Sequence, residues 1–188
     1  MWNEPSAGVA VSALDPESAA SQPMPAVVVA VEQGSIGEEL GFEPGDQLLS
    51  INGVRPRDLI DYRYLVVEEE LHLEIRDVQG VTHQVELEKD VDDGLGLEFS
   101  EALFDGLRQC NNHCSFCFID QQPPGKRNSL YLKDDDYRLS FLYGSYLTLT
   151  NLSERDWQRI EAQRLTPLFV SVHATEASLR QELLKNPR

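Results

Sequence analysis

Cys110, Cys114 and Cys117 fall within eight positions as C-x3-C-x2-C, and they are the only cysteines among the 188 residues. Thiolates this close can share a 4Fe–4S cluster and leave one of its irons without a protein ligand. An open iron is a position where a substrate or cofactor binds. Other chemistries compete for the same residues. A disulfide would leave one cysteine over, and the three crowd a single loop. Zinc could take the three thiolates with His113 as a fourth ligand, although His113 adjoins Cys114 and neighbouring residues rarely ligate one ion together. Inert buried thiols fit poorly with a segment made polar by Asn111, Asn112 and His113. The cluster is the favoured reading and zinc is its rival.

Composition limits what the rest of the chain can be. A hydrophobic content of 41% is enough for a core, and the length suits one large or two small domains. No apolar run approaches the roughly 18 residues of a membrane span. The N-terminus lacks a charged region followed by an apolar one, so no secretory signal is expected. These features predict a cytoplasmic protein, and a reduced compartment suits an oxygen-labile cluster. The net charge of −16 opposes a general role on nucleic acid or on an anionic membrane. Lys126-Arg127, after Pro123-Pro124-Gly125, is a small basic exception that could meet an anion.

The elements before the cysteines can be read in order. Residues 1–24 are rich in Ala, Ser and Pro without a sustained period, which predicts a disordered leader. Ala26–Ala30 reads as a buried strand. Ser35 can cap a short helix that Gly41 ends in the left-handed conformation. Pro44-Gly45-Asp46 is a turn, Gln47–Ile51 a strand, and Asn52-Gly53 a tight turn. Arg57–Val67 is expected to be a helix with Leu59, Ile60 and Tyr64 inward. Leu71–Arg76 and Gln84–Glu88 alternate as strands around a turn at Gln79-Gly80.

This order, with Gly-Ser-Ile, Leu-Gly-Phe, Pro-Gly-Asp and Leu-Leu-Ser-Ile-Asn-Gly, resembles a PDZ domain over residues 25–100, an α+β fold. PDZ domains usually open with a strand and a Gly-Leu-Gly-Phe loop that binds a peptide carboxylate. Here Gly94-Leu95-Gly96-Leu97 lies at the far end, which points to a circular permutation. Glycines let successive backbone N–H groups converge on one point, and an extended peptide could add to the neighbouring sheet edge. The resemblance therefore implies a peptide C-terminus as partner. The alternative is a purely internal role, and Asp92 and Asp93 beside the loop would repel a carboxylate.

Residues 101–188 read differently. A short strand is expected around Leu103–Leu107, then the cysteine loop, then a solvated turn or helix start at Asp134-Asp135-Asp136. Phe141–Thr150 reads as a strand. Ser153 and Asp156 form a capping-box-like start to a helix reaching about Arg164, with Trp157 and Ile160 inward. Leu168–Val172 is the next buried strand, and Thr175 caps a last helix carrying Leu179 and Leu183. Strand–helix–strand–helix is the pattern of a parallel sheet with helical crossovers.

The cysteine spacing, with Phe116 just before the last cysteine, resembles the cluster motif of the radical S-adenosylmethionine (radical SAM) enzymes. The layout is similar to a bacterial family of iron–sulfur oxidoreductases that join a PDZ domain to a radical SAM core. Cys117-Phe-Ile-Asp-Gln, Lys133-Asp-Asp-Asp-Tyr-Arg-Leu-Ser-Phe-Leu-Tyr-Gly144, Thr148-Leu-Thr-Asn-Leu152 and Val170-Ser-Val-His-Ala-Thr175 carry the likeness. The resemblance implies that residues 101–188 begin a partial α/β barrel. It implies that Cys110, Cys114 and Cys117 hold a 4Fe–4S cluster and that S-adenosylmethionine chelates its free iron. Phe116 would lie against the adenine. Thr148, Thr150 and Asn151 stand where many members hold the methionine amine with Gly-Gly-Glu. An electron donor such as a ferredoxin or flavodoxin is implied as well. Ser171 and His173 sit at the end of the next strand, where parallel α/β folds place functional groups. The strands after residue 100 are too few for a whole barrel, so the sequence is expected to be a fragment. The rival to this enzyme is a PDZ-type adaptor whose cysteines hold structural zinc.

Overall fold

Alternating apolar residues in the first half of the chain build an antiparallel sheet of five strands in the order β4-β3-β2-β1-β5. The computed structural model describes residues 25–187, so the leader expected over 1–24 lies outside the described residues. The strands are β1 (Ala26–Val31), β2 (Gln47–Ile51), β3 (Glu70–Arg76), β4 (Thr82–Glu88) and β5 (Leu97–Phe99). Val28, Leu48, Ile51, Leu71, Leu73 and Ile75 form the inner face. The short helix α1 (Ile36–Glu39) is capped by the Ser35 side chain, which accepts from the Glu38 N–H, and Gly41 follows at φ +80°. Asn52 and Gly53 both have positive φ, as a two-residue hairpin turn requires.

Helix α2 (Leu59–Leu65) is shorter than the expected Arg57–Val67, because Asp58 adopts an extended backbone and caps it from the side chain. Its inward residues also differ from expectation. Tyr64 is exposed, while Tyr62 is buried against Phe99, with the two rings edge to face at 4.8 Å. Residues 101–109 make turns rather than the expected strand. They are fastened by a bridge between Asp58 and Leu103 and by the Phe104 N–H donating to the Arg57 carbonyl.

The second half holds α3 (Tyr137–Tyr143), β6 (Tyr146–Leu147), α4 (Glu154–Ala162), β7 (Phe169–Val170) and α5 (Ala177–Leu184). β6 and β7 are parallel, with α4 as the crossover. The strand expected over Phe141–Thr150 forms only at Tyr146–Leu147, as β6, while Phe141–Tyr143 are the last turn of the helix α3. Asp136 caps its N-terminus by accepting from the Arg138 N–H, and Gly144, at φ +76°, ends it by donating to the Leu139 and Ser140 carbonyls. Those two end signals outweigh the β-rich composition between them. The Ser153–Asp156 capping box of α4 forms as read, but the helix buries Asp156 and Arg159 and leaves Trp157 exposed. β7 is short and half-exposed, not buried. α5 starts at Glu176 without a side-chain cap, and its buried residue is Leu184.

The two halves meet through charge. Asp58 has no solvent exposure and accepts from Arg159 at 2.7 and 2.8 Å and from Arg138 at 3.2 Å. Asp61, one turn on, accepts from Arg57 and lies 2.8 Å from Arg159. Burial pushes the Asp61 carboxyl up, but the Arg57 hydrogen bond and the Arg159 charge outweigh it and hold it below its ordinary range. α2 also feeds both cores: Tyr62 packs in the sheet's core, and Ile60 joins Tyr137, Leu147, Leu152 and Leu165 in the second.

Candidate metal centre

The cysteines lie on irregular chain between the sheet module and α3, held at several backbone points. The Cys110 N–H donates to the Lys133 carbonyl at 2.8 Å, and the His113 N–H to the Leu184 carbonyl at 3.0 Å. The Cys117 N–H closes a turn onto the Cys114 carbonyl at 3.1 Å. All three thiols are free and partly exposed. Burial pushes the Cys110 thiol up, with the nearby Asp135 and Cys114 charges adding to it, and burial with the neighbouring Cys117 pushes up Cys114.

Among the described residues no three His, Cys, Asp or Glu side chains form a closed metal-ion site. Thiolates on one tetrahedral zinc, bonded at about 2.3 Å, lie within roughly 3.8 Å of each other. A cubane gives each thiolate its own iron and spreads them wider. Three free thiols in one loop are a donor set that a 4Fe–4S cluster takes.

Beneath the loop runs a buried polar network. Asn112, 2% exposed, donates from its side chain to the Cys110 sulfur at 3.2 Å and to the Thr148 hydroxyl at 2.9 Å. Asp135 accepts from both the backbone and the hydroxyl of Thr148 at 2.6 Å. Thr150 donates to the Asn111 side chain, and Asn186 donates to both Asn111 and Asn112. Arg180 donates to the Thr148 carbonyl. The Thr148 and Thr150 hydroxyls stand 2.8 Å apart because Leu149 between them is left-handed, at φ +63°. That conformation costs a branched L-residue about 1–2 kcal/mol, which the surrounding hydrogen bonds offset. The Asn151 amide donates to the Gln109 and Asp135 carbonyls, and its Oδ1 is buried without a partner among the described residues.

The expected residues are thus brought together in part. Thr148, Thr150 and Asn151 sit under the cysteine loop. Phe116 is half-exposed, and its ring lies 5.6 Å from that of His173, itself left-handed at φ +62°. The Ser171 N–H continues the β6–β7 pairing by donating to the Leu147 carbonyl. Asp134-Asp135-Asp136 is not a solvated run: Asp135 and Asp136 are both 2% exposed. Asp135 supplies a carboxylate at the end of β6, where the sequence reading found only hydroxyls and an amide. Its position follows from the Thr148 contacts, which no spacing announces.

Comparison with known families now adds to the geometry. A radical SAM-like domain matches residues 89–188, more than half of the chain, and a PDZ domain matches residues 27–77. The chain belongs to the radical SAM-like family. Within that family it has the arrangement in which a PDZ domain precedes the radical SAM-like domain. No curated protein matches the chain.

Gly94-Leu95-Gly96-Leu97 leads into β5 of the five-stranded sheet and packs on the start of α1. The Leu95 and Gly96 carbonyls accept from the Gly37 and Glu32 N–H groups, each at 2.8 Å. Gly96 is left-handed at φ +70°, and a Cβ there would stand 2.3 Å from that of Ser35, so only glycine fits. Leu95 and Leu97 are buried. Burial pushes the Tyr62 phenol up to about 12. No helix among the described residues is long and apolar enough to cross a membrane.

Proposed function

We propose that this protein is a radical SAM oxidoreductase that cleaves S-adenosylmethionine reductively at a 4Fe–4S cluster to start radical chemistry on an organic substrate. Cys110, Cys114 and Cys117 would hold the cluster. Bound there, the cluster would deliver one electron to the sulfonium, breaking a C–S bond to give methionine and a 5′-deoxyadenosyl radical that takes hydrogen from the substrate. The observation that carries the reading is the coupling of the cysteine loop, through Asn112, to the Thr148–Asp135 network.

The protein's own groups account for recognition of the cofactor. The orphaned Asn151 Oδ1 is a buried acceptor that a ligand ammonium would satisfy. Asp135 and the paired Thr148 and Thr150 hydroxyls give the same neighbourhood negative charge and further acceptors. Phe116 and His173 offer ring faces for an adenine. A ferredoxin or flavodoxin would be the electron source, and a reduced compartment such as the cytoplasm suits the cluster. The parallel β6–α4–β7 unit would begin a partial α/β barrel. β5, last of the five strands in sequence, pairs beside β1, the first, which supports a permuted PDZ fold.

For the Gly94–Leu97 loop the internal role is the better supported, because Leu95 and Leu97 are buried and the Leu95 and Gly96 carbonyls are already tied to the Gly37 and Glu32 N–H groups. The test of the enzyme is anaerobic reconstitution followed by reduction with dithionite in the presence of S-adenosylmethionine. About four irons per chain, release of 5′-deoxyadenosine, and loss of both in Cys114→Ala are expected. A protein that takes up one zinc and no iron would overturn the proposal in favour of a structural site.

A further inference from the structure

Lys133 touches both ends of the cysteine segment. Its carbonyl accepts from the Cys110 N–H at 2.8 Å, at the start of the loop. Its ammonium reaches the Asp120 carboxylate at 2.6 Å, three residues beyond Cys117. The Lys133 side chain is 19% exposed, and Asp120 is 46% exposed. Between these two anchors the chain has no regular helix or strand. Ordering such a segment costs conformational entropy of about 1–2 kcal/mol per residue, so a bridge across its ends matters more here than on a helix surface.

We propose that Lys133 is the positioning residue of the cysteine loop, strapping its two ends together and balancing the charge of the three thiolates. This rests on the cluster reading given above. Asp120 stands three residues beyond Cys117, so its ion pair with Lys133 holds the ammonium at the end of the cysteine segment. Three thiolates bring three negative charges into a chain that already carries −16. A cation beside them favours the more negative, reduced form of whatever they ligate.

The two parts of the role separate in experiment. Lys133→Met removes strap and charge, Asp120→Ala removes the strap alone, and Lys133→Arg keeps both. The backbone contact to Cys110 survives every substitution. Amide hydrogen exchange on the apo protein is expected to rise across residues 114–121 in Lys133→Met and Asp120→Ala, and to stay at the wild-type level in Lys133→Arg. After reconstitution, the midpoint potential of Lys133→Met is expected to be more negative than wild type, with Lys133→Arg restoring it. Wild-type exchange and wild-type potential in Lys133→Met would overturn the proposal. A wild-type protein that takes up no iron would instead sink the cluster reading, while the exchange data still decide the strap.

Discussion

Asp58 and Arg159 meet in a two-pronged ion pair, at 2.7 and 2.8 Å, with Asp58 wholly out of solvent. Asp58 belongs to the PDZ domain and Arg159 to the radical SAM-like domain. The same carboxylate caps α2 by accepting from the Ile60 and Asp61 N–H groups. Removing it takes a buried carboxylate from Arg138 and Arg159, leaving Asp136 and Asp61 as their buried partners, and uncaps a helix. Asp58→Ala is expected to cost about 3–5 kcal/mol, the range for breaking a buried pair from one side. Urea unfolding should be one transition in the wild type and two in the variant, as the domains come apart.

Acid should loosen the same junction. In Asp61, Asp136 and Asp156 burial alone would raise the carboxyl, yet arginine partners win and hold each below its ordinary value of 3.8. A group whose folded pKa is lowered stabilises the fold above its unfolded pKa, and that stability is lost as pH falls through the folded value. Stability is therefore expected to be level above about pH 5 and to fall steadily below about pH 4. Thermal unfolding across that window checks it. Asp61→Asn should flatten the slope in proportion to its share.

Asp135→Asn keeps the shape of the side chain and removes its charge. A charge-assisted hydrogen bond is worth about 1.5–3 kcal/mol, so the affinity of the reconstituted protein for S-adenosylmethionine should fall by roughly tenfold or more. Calorimetric titration measures it. Iron content should change little, because Asp135 meets Thr148 directly and not the sulfurs. Equal affinity in both proteins would remove Asp135 from the cofactor site.

Tyr62 also anchors the sheet's core: Tyr62→Ala loses the ring packed on Phe99 and is expected to cost about 3–5 kcal/mol, read by urea unfolding. An array of random peptides with free and amidated C-termini should show no preference on wild-type protein. Strong wild-type capture of free C-termini would rule out the internal role of the loop.

Much of the PDZ fold could be read from the sequence, because its signals are local. Ser35, Gly41, Gly45 and Asn52-Gly53 each fix a turn or cap within a few residues, and β2 forms over the expected Gln47–Ile51. The radical SAM-like half was read less well for an equally physical reason. Phe141–Thr150 is apolar and β-rich, yet only Tyr146–Leu147 within it is strand. Asp136 and Gly144 are the helix start and stop that decide the outcome. The three cysteines were legible as candidate ligands from type and spacing alone. The carboxylate behind Thr148 and the lysine across the loop were not. Both depend on which side chains tertiary packing brings together, and a run of three aspartates looks solvated until Arg138 and Thr148 are seen to take two of them inside.

The helix that serves both cores also limits how these domains can be shuffled. A PDZ domain grafted from elsewhere would need an acid where Asp58 stands and a small apolar group where Ile60 stands. Without them, two guanidinium groups and a patch of the recipient's interior would be left facing the graft. Recombination at this seam is thus restricted to donors that carry the complementary helix.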